Sequence, residues 1–221
     1  MDSWNVYYNM KVINYDALQT DSFVYSAPKK HENRYYVLLH SKDGEDEESL
    51  PQKVFFQTPK MKVKLPNVDD YVDCVCDQDT WKDFVQSMDK HMRDVIKTNS
   101  EEWFGEGKHI DDTFLDVGQT PSLMSNGVCR FKMAHDLDIY NQEKEEINME
   151  DIEQGQEVKG IAQLVGLWFT KTRWGLTYKM YQMKMYKTKQ KAVRGYMFPE
   201  DPEDQPEDTD MHDLRPPPGI E

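Results

Sequence analysis

At 221 residues, with 38% apolar side chains, 31% charged ones and a formal net charge of −14, the chain has room for one folded domain with polar tails and little more. Five Trp, twelve Tyr and nine Phe are too many for a chain disordered throughout. An acidity spread evenly over the surface would exclude a polyanionic partner, but here the charge is segregated along the sequence.

No apolar run approaches the roughly 18 residues that span a bilayer. The opening Met1-Asp2-Ser3-Trp4-Asn5 has neither the basic start nor the apolar centre of a signal peptide. The reading is a soluble intracellular protein without a membrane partner. Three cysteines suit a reducing compartment better than a disulfide framework.

In chain order, residues 1–30 carry scattered aromatics and suit an edge strand or two. Tyr35 to His40 reads as a short strand, followed by an acidic loop over 41–49. Residues 53–65 are extended around Pro59, and there Lys60, Lys62 and Lys64 alternate with Met61, Val63 and Leu65. A period of two places the lysines on one face, which is either a solvated strand face or a track for phosphates. Residues 79–97 form the main helix, with Asp79 or Thr80 as its cap and an apolar stripe through Trp81, Val85, Met88 and Met92. Trp103-Phe104-Gly105 reads as a turn and 106–127 as loop. Val128 to Tyr140 returns to a strand with Arg130 and Lys132 facing away from Cys129, Phe131 and Met133.

Residues 158–187 predict a β-hairpin whose runs, Ile161–Phe169 and Leu176–Tyr186, flank a loop ending at Gly175. From Lys159 to Phe198 there are seven Lys, two Arg and no acid, so this stretch holds +9 and the rest of the chain −23. From Pro199 to Glu221 there are nine acids, one Arg and six Pro, net −8, which predicts a disordered tail.

Catalytic and metal motifs are missing. There is no Gly-rich phosphate loop, no G-x-S-x-G elbow and no four-ligand zinc spacing. Cys74, Cys76 and Cys129 therefore read as buried thiols, and Asp69-Asp70 and Asp111-Asp112 as surface acids rather than a magnesium site. Neither enzyme activity nor a cofactor is expected. What the hairpin offers is the pairing that single-stranded nucleic acid requires: cations for the backbone and aromatic faces for the bases. The candidate nucleic-acid-binding residues are Lys60, Lys62, Lys64, Lys171, Arg173, Trp174, Lys179, Tyr181, Lys184, Tyr186 and Lys187, while Trp168 and Phe169 read as core.

Gln57-Thr58-Pro59-Lys60-Met61, then Gly166-Leu167-Trp168-Phe169 and Trp174 through Lys184, resemble the single-stranded-DNA-binding proteins of nucleocytoplasmic large DNA viruses, a type related to the phage replication proteins. The resemblance implies an oligonucleotide-binding (OB) barrel, single-stranded DNA as partner, a role in viral replication or repair at the viral replication site in the host cytoplasm or nucleus, and an acidic tail that recruits replication proteins; by its charge the tail would otherwise compete with DNA for the hairpin. The expected architecture is mostly β with one main helix lying between the third and fourth barrel strands. Residues 1–198 would be one OB-fold-like domain with acidic loop insertions, and 199–221 a disordered acidic, Pro-rich tail. The competing reading is a scaffold protein of a virion or complex whose basic hairpin meets an acidic protein partner.

Overall fold

The computed structural model describes residues 11–42, 50–68, 70–107 and 110–187. The acidic stretch 43–49 and the proposed tail 199–221 lie outside the described residues, as do Lys189, Lys191 and Arg194 of the basic run.

The predicted hairpin is the longest strand pair: β10 (Glu157–Phe169) runs antiparallel to β11 (Trp174–Met185). Alternation drives it. Val158, Ala162 and Leu164 of β10 and Tyr178, Met180 and Met183 of β11 turn inward, while Lys159, Lys179 and Lys184 stay at the surface. The loop is tighter than the sequence suggests. Thr170 N–H donates to the Arg173 carbonyl at 2.7 Å, and the Thr170 hydroxyl oxygen accepts from Arg173 N–H at 2.9 Å. The four residues from Thr170 to Arg173 thus suffice for the turn, and Gly175 belongs to β11, where it takes no positive φ.

Five strands close on themselves. β6 (Met61–Val68) pairs with β7 (Tyr71–Val75), β7 with β9 (Val128–Tyr140), β9 in parallel with β11, β11 with β10, and β10 back with β6. Taken in chain order, the first, second, third, fifth and fourth strands follow one another round the ring. The protein is thus mostly β, with a closed, OB-fold-like five-stranded barrel and one main helix.

Smaller strands extend the sheet. β4 (Arg34–Ser41) and β5 (Gln52–Gln57) both pair with β10, β2 (Phe23–Tyr25) and β3 (Lys29–His31) with β4, β1 (Val12–Asn14) with β5, and β8 (Gln119–Thr120) with β11. The exchange of partners along β10 happens at Gly166, whose φ is +139°. A β-carbon there would lie 2.1 Å from the Val37 carbonyl oxygen, so only glycine permits β4 to approach.

The helix α1 (Asp79–Phe104) is longer than expected and takes in Trp103 and Phe104. It lies between the second and third barrel strands, correcting the expected position between the third and fourth. Its N-cap is Gln78, without a side-chain cap; Asp79 sits in the first turn, where a carboxylate meets the positive end of the helix dipole. The buried stripe Trp81, Val85, Met88, Met92 and Ile96 closes the core, and Trp81 stacks on Phe131 of β9 at 6.5 Å. Within the stretch expected to be loop, α2 (Asp112–Val117) forms where Asp111 accepts from Phe114 N–H at 2.6 Å. Arg93 with Asp116, and Lys97 with Asp112 at 2.9 Å, tie α2 to α1. Asp89 on α1 accepts from Ser122 N–H at 2.8 Å, anchoring the approach to β9.

All three thiols are buried and free, and Cys74 and Cys129 are register partners across β7 and β9. Burial pushes Cys129 up to about 11 and Cys74 higher still, which keeps both protonated at neutral pH. No cluster that could hold a metal ion occurs among the described residues, and no helix there is long and apolar enough to cross a membrane.

Candidate nucleic-acid interface

Strand register assembles the surface. Phe55 on β5 is the partner of Gln163 on β10, Gln163 of Lys179 on β11, Lys179 of Lys132 on β9, and Lys132 of Tyr71 on β7. One cross-sheet row thus places Lys179 and Lys132 side by side, with the 37%-exposed Tyr71 beside them. Like charges directly opposite one another destabilise a sheet. Among the described residues neither lysine has a carboxylate partner, so their charge is open to an external anion. Arg130, two residues from Lys132 on the same face, stands 5.7 Å from the Tyr71 ring centroid. Both Asp73 oxygens accept from its guanidinium at 2.8 Å, and this two-point pairing raises the arginine pKa.

Tyr181 is lifted out of the ladder. The register of β11 against both β10 and β9 slips between Met180 and Gln182, leaving Tyr181 as a bulge residue. Its ring meets Phe55 edge to face at 5.3 Å, and Lys179 Nζ lies 5.0 Å from its centroid. Toward the base of the hairpin Lys159 is paired with Lys184, and the Tyr186 ring has Lys60 Nζ at 4.2 Å and Lys184 Nζ at 5.7 Å. Lys60 also reaches Glu157 at 3.2 Å, while Lys62 is the register partner of Glu157 and is exposed. Lys187 pairs with Glu143 at 2.5 Å, which raises the lysine and lowers the carboxyl.

The predicted residues therefore divide. Lys60, Lys62, Lys184 and Tyr186 come together at the hairpin base, with Lys64 half-buried further along β6 and Lys187 engaged by Glu143. Lys179 and Tyr181 sit at mid-length. Lys171 and Arg173 are exposed at the tip; at ~3.3 Å per residue, Arg173 is roughly 35 Å along the strand from Lys184.

Trp174 is corrected. It is 1% exposed and its Nε1–H donates to the Leu115 carbonyl at 3.1 Å, so it is a core residue tying the hairpin to α2. Trp168, read as core, is instead half-buried on the outer face, its ring 5.6 Å from the Arg34 guanidinium carbon. Residues missed by the sequence reading are Tyr71, Arg130, Lys132 and Lys159. The alternation at Arg130 and Lys132 was visible; what could not be seen was that β9 lies beside β11.

Residues 61–201, 141 of the 221, match the Family of unknown function (DUF5871). No curated protein matches. Among solved structures, the single-stranded DNA-binding protein from bacteriophage Enc34, in a C-terminal truncation, is similar at 13% identity over 77% of this chain and 98% of that one, with a TM-score of 0.43. The same phage protein in complex with ssDNA gives 13%, 73% and 95%, with a TM-score of 0.36. Gp2.5, a single-stranded DNA binding protein encoded by bacteriophage T7, gives 11% identity over 66% of this chain and 98% of that one, with a TM-score of 0.42. No residue role is carried over from these structures. The matched family span takes in β6 through β11, the whole barrel, and the chain belongs to DUF5871.

Proposed function

We propose that the chain binds single-stranded DNA, without catalysis, along the outer face of the barrel from Tyr71 and Lys132 across Lys179 and Tyr181 to Lys159, Lys184, Tyr186, Lys60, Lys62 and Lys64. The observation that carries this reading is the cross-strand pair Lys132–Lys179, unneutralised and flanked by two accessible tyrosines. A row of cations at strand spacing neutralises phosphates, and rings between them stack on bases without selecting their sequence. Service in viral DNA replication or repair, as a relative of the large-DNA-virus proteins, belongs to the same proposal and is supported by the sequence stretches Gln57–Met61 and Gly166–Phe169. Residues 199–221 would act through charge: their removal takes the formal net charge from −14 to −6 and should tighten binding, most at low salt.

The test is a fluorescence-anisotropy titration of the full chain with oligo-dT at two salt concentrations. Binding should weaken steeply with salt and vary little among base compositions. If no salt-sensitive binding is seen, the face is not a DNA track, and the basic hairpin is better read as the contact for an acidic protein.

A further inference from the structure

Beneath the tip of the hairpin, on the other side of the sheet from Trp168, lies a cavity of about 870 Å³. Its floor is aromatic: Phe169, Phe104 and Tyr35 meet edge to face at 5.4 and 6.3 Å, with Phe114 beside them. Its rim carries Lys30 and Lys171, neither of which has a carboxylate partner among the described residues, and Arg34 borders it with its guanidinium over Trp168. The lining includes one acid, Asp111, whose carboxylate is turned to the start of α2 and accepts there from Phe114 N–H. The cavity falls within the size range of small-ligand pockets, roughly 300–1,000 Å³, which are mostly apolar with a few placed charges.

Lys30 and Lys171 at the rim of a cavity walled by edge-to-face aromatic rings suit a ligand that pairs an apolar ring with negative charge. A terminal nucleotide has that composition, since its end phosphate is more highly charged than the diesters behind it. Arg34 makes the location informative, because the residue that lines this cavity also stands over Trp168 on the outer face. A strand lying on the proposed face would reach Trp168 near the tip of the hairpin, and its end would enter the cavity by passing round the turn at Thr170, Lys171 and Thr172, which line it.

We infer that this cavity holds a phosphate-bearing terminal nucleotide, from the end of the strand carried on the outer face or as a free nucleotide; the strand-end form rests on the function proposed above.

The experiment uses the full chain and four probes: oligo-dT with no terminal phosphate, with a 5′-phosphate, with a 3′-phosphate, and free dTMP. One terminal phosphate should tighten binding roughly tenfold, the size of a charge-assisted hydrogen bond. Lys30→Glu, exposed on β3 and away from the face, should erase that gain and leave the affinity for the unphosphorylated oligonucleotide unchanged. Saturable dTMP binding that is lost in Lys30→Glu, without a terminal-phosphate gain, would make the free nucleotide the source. Absence of both, or a gain that survives Lys30→Glu, overturns the inference. Loss of unphosphorylated binding alone strikes the outer-face reading and leaves the dTMP arm to judge the cavity.

Discussion

The indole of Trp168 lies across the backbone of its register partner Gly175, so closely that a β-carbon at 175 would fall 2.8 Å from the ring. The glycine is needed for space. Gly175→Ala should therefore destabilise the fold by about 1–3 kcal/mol, the usual penalty of overpacking, or push Trp168 off its strand. Urea denaturation with near-UV circular dichroism would register either outcome. An unchanged midpoint and spectrum would mean that the contact is slack.

Lys132 and Lys179 should matter to DNA far more than to folding. Each change to Gln should lower the salt slope of oligo-dT binding by about 0.7. Removing one of two facing like charges should leave stability unchanged or raise it by about 0.2–1 kcal/mol. Anisotropy over a salt series, with melting curves, checks both halves. Collapse of the fold with normal binding by the surviving fraction would make the pair structural.

Aromatic substitutions should split into two groups. Tyr181→Ala and Tyr186→Ala should each cost about 1–3 kcal/mol of oligonucleotide binding if each ring carries a base. Trp174→Ala should cost about 3–5 kcal/mol of folding stability instead, because it empties a core site and orphans the Leu115 carbonyl. If the two tyrosine variants bind like wild type, stacking occurs elsewhere.

The pH dependence of stability should carry a histidine component. His91 is half-buried, its Nε2 lies 3.1 Å from the Tyr25 hydroxyl, and burial lowers its pKa below the ordinary 6.5. The unfolded chain then takes up the proton first as pH falls. The contribution is fully present above 6.5 and is lost as pH falls from there toward the lower folded value. Thermal melts at pH 7.5 and 5.5 should show a drop that His91→Gln reduces. An identical drop in the variant would assign the effect to other groups.

The hairpin and the lysine alternation on β6 were legible because a period of two is a local signal, and Met61 and Val63 are indeed buried in alternation with exposed Lys60 and Lys62. Trp174 misled because a tryptophan next to Arg173 looks like part of a loop. The turn was closed two residues earlier by the Thr170 hydroxyl, which made Trp174 an inward strand residue. The helix was visible through its stripe, but its extension to Phe104 depends on Trp103 and Phe104 packing on Phe169, a contact made across 65 residues or more. Long separations in sequence likewise hid the row from Tyr71 through Lys132 to Lys179, each of whose neighbours lies on a different strand.

The seam at which β10 returns to β6 is stitched by Lys62 with Glu157 and Met61 with Val158, and reinforced where Gly160 N–H donates to the Thr58 hydroxyl at 2.8 Å. These ties join segments nearly a hundred residues apart, separated by α1 and the whole of β9. A ring closed by such distant partners assembles slowly, because the entropy of the intervening loop is lost before its contacts form. During synthesis the open sheet must wait for β10 and β11 to emerge. The face proposed to hold DNA would then come into existence only once β10 and β11 have emerged, and a nascent chain would have no grip on a strand before that.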